Sequence, residues 1–409
     1  TAAVILNIYS PEDFHGFRNT SEQSVFPISL ILIYALFVFV IFVGAALKLL
    51  FRGVYARQYA SQLSGGAELG ESGYQSLVKL GLVLALAGLL VNFAGVLLYG
   101  ARHAFLTALI SGESLLSVRL SNIYVANMPT VFNSFMSFCA TLLVVILGAV
   151  SYRKHRMVAW FFAIVVLYLS TFGGGKAPLV NSVIIYFVSY ASFAGWKVKL
   201  KTVGTFLVSV CVVFGLVYFA VWVQLGGVTI GEFSWYIVNR LGVGQMAGVY
   251  EQFNLKIQNV NYIWHAVPFA GFFIDYPIFQ KDLMMASEYV LDASATGLKN
   301  SLFISEAYAF GGFLLVALSP AIVGISYALS IFVVYYLISR LFVCNEVAAL
   351  KISGLFFVPY LTLTGGFSEW LFMKALIMLL IFIAPIYLLF RFVGGLLNIR
   401  FYYAKRVML

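Results

Sequence analysis

Nine long apolar runs constrain this chain more than any other feature of its sequence. Their lengths are close to the roughly 17 to 25 residues that a helix needs to cross about 30 Å of hydrocarbon. The runs comprise residues 26–47, 80–99, 131–150, 157–172, 177–193, 203–223, 312–338, 347–363 and 371–392. Because a backbone in lipid must satisfy its own hydrogen bonds, these runs predict membrane-spanning helices and an all-α polytopic membrane protein.

The composition excludes a soluble globular protein. Of the 409 residues, 62% are hydrophobic and only 10% are charged, and the mean hydropathy is +0.98. So few charges cannot cover a water-facing surface. The net charge of +10 comes from Lys and Arg in short runs between apolar segments, where they orient helices, so no nucleic-acid partner is expected. The three cysteines show neither metal-ligand spacing nor a disulfide framework.

Positive charge alternates along the connections between the runs. Basic clusters lie near residues 48–57, 153–156, 197–201, 340 and 391–406, which the positive-inside rule places in the cytoplasm. The longest connection on the opposite side is 224–311. Residues 2–6 resemble the end of an apolar helix, so we expect one further span before Thr1, ten spans in all, and both termini in the cytoplasm.

The connection 224–311 is unusually aromatic for a solvated loop. Its amphipathic rings favour the headgroup level of a bilayer, so we predict short interfacial helices within 233–253 and 262–279. These rings belong to Trp235, Tyr236, Tyr250, Tyr262, Trp264 and Tyr276. No internal repeat divides the chain, and residues 1–409 are predicted to form one transmembrane domain in which this large outer loop forms part of the site.

Two cations outside the cytoplasmic clusters are candidate phosphate ligands. Lys176 follows three glycines at an outer helix end, where it would meet an anionic headgroup or a diphosphate, or snorkel at a tight turn. Arg240 lies in the outer loop, where its guanidinium would grip phosphate or reach the outer headgroups.

Three further ionisable residues are candidate bases because they lie in apolar surroundings. His265 and Asp275 belong to the outer loop, and Glu306 lies just before the Gly311-Gly312 pair. Each also has a structural interpretation, a hydrogen-bonded imidazole or a helix-end carboxylate. Glu369 and Lys374 are expected to pair with each other. The sequence contains no convincing acidic metal cluster, so neither a metal nor another cofactor is predicted.

Three segments resemble the Wzy-type O-antigen or oligosaccharide repeat-unit polymerases of bacterial inner membranes. They are Gly174-Gly175-Lys176-Ala177-Pro178, the stretch from Asn239-Arg240 to Tyr250-Glu251-Gln252-Phe253, and the stretch from Asn300 to Glu306, Tyr308 and Gly311. The layout, with a large periplasmic loop in the second half, is also similar to that family. The resemblance covers most of the chain, and its motifs are moderately specific.

The resemblance implies a GT-C-like helical bundle and a metal-independent glycosyltransferase of lipopolysaccharide biosynthesis. Its donor and acceptor would be undecaprenyl-diphosphate-linked oligosaccharides, joined at the periplasmic face of the inner membrane, and a Wzz-type chain-length regulator is an implied partner. The expected catalytic residues are Arg240, Glu306, His265 and Asp275, and the expected substrate-binding residues are Lys176, Tyr250, Tyr262, Asn300 and Tyr308.

Two other functions stay open at this point. An O-antigen ligase would pass the same donor to lipid A core and shares the broad layout. A flippase or other transporter of lipid-linked oligosaccharides would need a polar cavity through the bilayer, usually between repeated halves, and the sequence shows neither repeats nor charges in mid-span.

Overall fold

The protein is described from a computed structural model. The described residues are 22–54, 71–113, 128–153, 155–174, 176–195, 227–238, 247–288, 302–342, 346–359 and 366–407, with isolated residues between 117 and 126 and between 204 and 222.

Helices account for nearly all of these ranges, and no strand occurs in them. The helices are α1 Glu22–Leu50, α2 Glu71–Tyr99, α3 Ala104–Ser111, α4 Thr130–Tyr152, α5 Arg156–Thr171, α6 Lys176–Phe193, α7 Ile230–Val238, α8 Ala247–Leu255, α9 Ile263–Ala266, α10 Phe279–Glu288, α11 Phe303–Leu341, α12 Glu346–Phe356, α13 Ser368–Leu371 and α14 Lys374–Val407. Two short 3₁₀ turns, Val260–Tyr262 and Ala270–Phe272, flank α9.

Five of the described helices are long and apolar enough to cross a bilayer, namely the apolar parts of α1, α2, α4, α11 and α14. The shorter α5 and α6 are also apolar. The prediction of an all-helical membrane protein is therefore confirmed at this level. The predicted span 347–363 differs, because the α-helix there, α12, ends at Phe356 after 11 residues and is only about 16 Å long at 1.5 Å per residue. Residues 360–363 lie outside the described residues. Most of the predicted span 203–223 lies outside the described residues.

The chain divides into two compact units. The second unit comprises Arg57–Val228, Val333–Pro359 and Leu380–Leu409. Within it, α4 packs against α2, α5 and α6, and almost every α4 residue from Phe135 to Val150 is buried. A side chain supports this packing, since the Ser189 hydroxyl of α6 donates to the Val145 carbonyl of α4 over 2.7 Å. α4 is therefore the core helix of this unit.

The first unit comprises Thr1–Ala56, Thr229–Phe332 and Tyr360–Leu379. It contains α1, the first part of α11, α13 and the short helices of the connection 224–311. Aromatic rings join these elements: Phe39 packs against Tyr327 with ring centres 5.9 Å apart, and Tyr327 packs against Trp370 at 5.4 Å. The Ser29 hydroxyl of α1 also lies 2.9 Å from the Tyr250 hydroxyl of α8.

Short helices occur throughout the described part of 224–311, as the aromatic pattern predicts. α7 begins with a reciprocal cap in which the Thr229 backbone amide donates to Glu232 Oε2 over 2.8 Å, and the Glu232 amide donates back to the Thr229 hydroxyl over 3.3 Å. This hydrogen bonding by Thr229 lowers the pKa of the Glu232 carboxyl.

A break at Gly311 and Gly312 separates residues 303–310 from the long apolar part of α11. Gly312 has φ 65° and ψ −155°, a backbone conformation open essentially only to glycine. The interruption frees carbonyls at the end of the first segment, and the Asn259 amide donates to one of them, that of Ala309, over 3.0 Å. Residues 303–310 thus form a short helix of their own, which carries Glu306.

Candidate functional site

Among the described residues of the first unit, Glu306 is the most deeply buried carboxylate, and it is the centre of the candidate site. Its side chain is fully buried. The backbone amide of Ser368 donates to Oε2 over 2.7 Å, and the Ser368 hydroxyl donates to Oε1 over 3.0 Å. The Gln280 amide donates to Oε1 over 2.9 Å. Two segments far apart in sequence therefore hold one carboxylate.

The environment of Glu306 is polar but not basic. In the described part of the chain, no Lys or Arg side chain lies within ion-pair distance of this carboxylate. Burying a carboxylate costs several kcal/mol unless charges or hydrogen bonds compensate. Glu306 depends on neutral donors for that compensation. A buried carboxylate held by neutral donors is a candidate functional group.

His265 lies beside this carboxylate. Its Nδ1 atom is 3.8 Å from Glu306 Oε1, which is about 1 Å longer than a charge-assisted hydrogen bond. Nδ1 is buried and has no hydrogen-bond partner, whereas the His265 side chain as a whole is 20% exposed. The imidazole therefore turns Nδ1 toward the buried acid and keeps part of the ring accessible.

The backbone around His265 is fixed by its neighbours. His265 is in the four-residue helix α9, and the Lys374 ammonium donates to the His265 carbonyl over 2.8 Å, which satisfies a helix-end acceptor. Lys374 also lies 3.8 Å from Glu369, so the expected pairing of these two residues is observed.

The Ser368 segment approaches Glu306 so closely that it requires a glycine, Gly366. A Cβ atom built on Gly366 would overlap the Glu306 carboxylate. Only a residue without a side chain lets the backbone pass at this distance. The glycine therefore makes room for the two Ser368 hydrogen bonds.

A second polar pair adjoins the site. The Tyr262 hydroxyl donates to Asp282 Oδ2 over 2.7 Å, and Asp282 is in α10, the helix that also supplies Gln280. Burial, and after it the hydrogen bond to Asp282, raises the pKa of Tyr262. The phenol is therefore a hydrogen-bond donor at neutral pH.

The structure brings together two of the four predicted catalytic residues, Glu306 and His265. Asp275 is exposed and has no described contact with them. Arg240 lies outside the described residues, as does Asn300. Lys176 is the first residue of α6, and its side chain also lies outside the described part of the chain.

The predicted substrate-binding tyrosines are buried. Tyr250 is 1% exposed, Tyr262 2% and Tyr308 5%. Each contacts protein groups: Tyr250 the Ser29 hydroxyl, Tyr262 the Asp282 carboxylate, and Tyr308 the ring of Phe253 at 5.0 Å. In this conformation these tyrosines support the site from within, and their contact with a sugar stays a prediction.

Three site residues were not expected from the sequence: Gln280, Ser368 and Gly366. All three are uncharged, and two of them come from the connection before the last span. The one local signal that marks this segment is a Gly-Gly pair with a serine two residues after it, Gly365-Gly366-Phe367-Ser368.

Comparison with known proteins gives no relative. No family model matches the chain, and no curated protein or solved structure matches it. The resemblance to Wzy-type polymerases therefore stays a prediction.

Proposed function

We propose that this protein is a membrane glycosyltransferase that polymerises oligosaccharide repeat units carried on undecaprenyl diphosphate, at the periplasmic face of the bacterial inner membrane. The observation that carries the proposal is the pairing of a partly accessible imidazole, His265, with a buried carboxylate, Glu306, at 3.8 Å. A carboxylate behind an imidazole orients the ring and stabilises its protonated form. Glycosyl transfer to a hydroxyl needs such a base.

In the proposed reaction, the acceptor hydroxyl gives its proton to Nε2 of His265, the ring nitrogen other than the one nearest Glu306. The acceptor oxygen forms a bond to the anomeric carbon of the donor. The bond between that carbon and the diphosphate oxygen breaks, and undecaprenyl diphosphate leaves with the electron pair. Glu306 faces the imidazolium that forms. The leaving diphosphate is the expected partner of Arg240 and Lys176, the two cations predicted from the sequence.

His265 and Glu306, here called the dyad, have different roles in the proposed reaction. Glu306 is fully buried and already accepts three hydrogen bonds, so it acts on His265 and not on the acceptor. Asp275 is exposed, and no described contact joins it to His265 or Glu306. His265 is therefore the proposed base and Glu306 its positioning residue.

The test uses purified protein and a synthetic polyprenyl-diphosphate repeat unit, with products separated by length. The wild-type protein should produce a ladder of longer glycans. His265→Ala should slow its formation roughly 100- to 10,000-fold, and added imidazole should restore part of the rate. Asp275→Asn is the control and should keep the wild-type rate.

Two outcomes would contradict different parts of the proposal. Absence of a ladder with wild-type protein would reject repeat-unit polymerisation. A normal ladder with His265→Ala would keep the activity but reject the dyad as its base.

A further inference from the structure

A largely apolar cavity of about 490 Å³ lies within the second unit. It is bounded by α4, α5 and α6, all of them apolar helices. This volume is typical of a site for one small ligand. The cavity is remote in sequence from the Glu306 site, and neither His265 nor Glu306, the described residues of the proposed reaction, lines it.

One face of α5 lines the cavity from one end to the other. Arg156, Ala159, Ala163 and Ser170 all line it, and their spacing places them along one side of a helix. From Arg156 to Ser170 this side extends for about 21 Å at 1.5 Å per residue. The two alanines leave space that larger side chains would fill. The α5 side of the cavity is therefore long enough to follow an extended hydrocarbon chain.

The two ends of the cavity differ in charge. At one end the hydroxyls of Ser170 and Ser182 lie 3.1 Å apart, and Ser182 donates to the Pro178 carbonyl over 2.8 Å, so these groups satisfy each other. At the other end lie His155 and Arg156. The His155 ring stacks on Tyr74 with ring centres 4.8 Å apart. Among the described residues, exposed Arg156 has no carboxylate partner.

The basic end belongs to a cluster that the positive-inside rule places in the cytoplasm. The cytoplasmic leaflet is where anionic lipids concentrate and attract Lys and Arg near the surface. Apolar side chains that line an unfilled pocket lack dispersion partners on the pocket side. A hydrocarbon chain would supply those contacts, and a phosphate would meet the exposed guanidinium of Arg156.

We propose that this cavity binds an acyl chain of an anionic phospholipid whose phosphate lies against Arg156. The lipid is a structural ligand of the inner leaflet and is separate from the substrates of the proposed reaction.

The experiment is native mass spectrometry of purified protein equilibrated with equal amounts of phosphatidylglycerol and phosphatidylcholine that carry the same acyl chains. The wild-type protein should retain phosphatidylglycerol about tenfold better, the effect of one charge-assisted contact. Arg156→Gln should abolish this preference. Arg340→Gln, which removes another exposed arginine of the predicted cytoplasmic side, should preserve it.

A second pair of variants tests the cavity itself. Ala163→Trp would fill the space between α5 and α6, and should release the retained lipid. Ile164→Trp adds the same ring at the neighbouring position, which is 64% exposed and does not line the cavity, so it should retain the lipid. Equal retention of both lipids by the wild-type protein, or unchanged retention by Arg156→Gln, would overturn the proposal. Unchanged retention by folded Ala163→Trp would overturn it as well.

Discussion

At the residue scale, the buried carboxylate of Glu306 is the feature with the strongest chemical consequence. Its oxygens meet Ser368, Gln280 and His265, and Gly366 gives the Ser368 segment access to it. A site this closely packed tolerates little added volume.

We expect Gly366→Ala to disrupt this site. The added methyl group would overlap the carboxylate, at a cost of about 1–3 kcal/mol for an overpacked position. The expected result is a lower thermal midpoint in detergent, measured by intrinsic tryptophan fluorescence. The proposed activity should also be lost. Gly354→Ala is the matched control, because a methyl group there meets nothing within 4 Å. Equal midpoints for the two variants would contradict the packing described at Gly366.

A second residue gives a prediction about pH. His103 precedes α3, where its Nδ1 accepts from the Leu106 amide over 3.2 Å and its Nε2 lies 3.1 Å from the Tyr168 carbonyl. Burial lowers the pKa of His103. The unfolded chain therefore takes up a proton at a higher pH than the folded chain does. Its contribution to stability is full above about pH 6.5, the ordinary imidazole value, and is lost as pH falls through the lower folded value.

His103→Asn tests this contribution, because asparagine caps a helix start but does not titrate in this range. The variant should show a smaller decrease in thermal midpoint between pH 7.5 and pH 5 than the wild-type protein. Parallel decreases in the two proteins would show that His103 does not contribute to the pH dependence.

Sequence reasoning located this site only in part. Glu306 and His265 were recognisable because an ionisable side chain in apolar surroundings is costly and therefore informative. Gln280 and Ser368 are neutral, and their role depends on contacts across 26 and 62 residues that no local pattern encodes. The same limit applies to Tyr250, whose amphipathic ring predicted an interfacial position, although Ser29 and other groups of the fold enclose it.

At the element scale, hydropathy predicted the existence of the helices better than their ends. The second apolar run begins at residue 80, but α2 begins at Glu71, because helical hydrogen bonds continue in water beyond the hydrocarbon. In contrast, α12 is shorter than its apolar run. Apolarity therefore reports burial in lipid or protein and does not by itself report helix length.

The break in α11 gives a prediction at this scale. Gly312→Ala would place a side chain at φ 65° and ψ −155°, which should cost about 1–3 kcal/mol and disturb the helix that carries Glu306. The thermal midpoint should fall, and the proposed activity should fall with it. Gly44→Ala in α1, where nothing lies within 4 Å of an added methyl group, is the control. A Gly312→Ala protein as stable as this control would show that the break does not depend on glycine.

At the scale of the whole molecule, the charge pattern predicts which connections lie on each side of the membrane. The connection 224–311 carries the candidate site and is predicted to be periplasmic, whereas the cluster at residues 153–156 is predicted to be cytoplasmic. The predicted sidedness follows from the number of Lys and Arg residues in each connection. These charges act during membrane insertion and do not determine how the helices pack.

Cysteine labelling would test this topology. In a chain whose Cys139, Cys211 and Cys344 are replaced by serine, Asp275→Cys should react with an impermeant maleimide on intact spheroplasts, since Asp275 is exposed. Tyr152→Cys, at a side chain that is 42% exposed, should react only after the membrane is opened. The reverse labelling pattern would show the opposite topology and would contradict a periplasmic location of the candidate site.

The partners of Glu306 also set an order of events during synthesis. Gln280, the donor from α10, is translated before Glu306, but Ser368 is translated 62 residues after it. Until then the acid lacks the two hydrogen bonds that Ser368 supplies, and its complete burial would leave it short of compensation. The pocket can therefore close around this side chain only after the segment that contains Ser368 has been synthesised, so its closure depends on a segment 62 residues further along the chain.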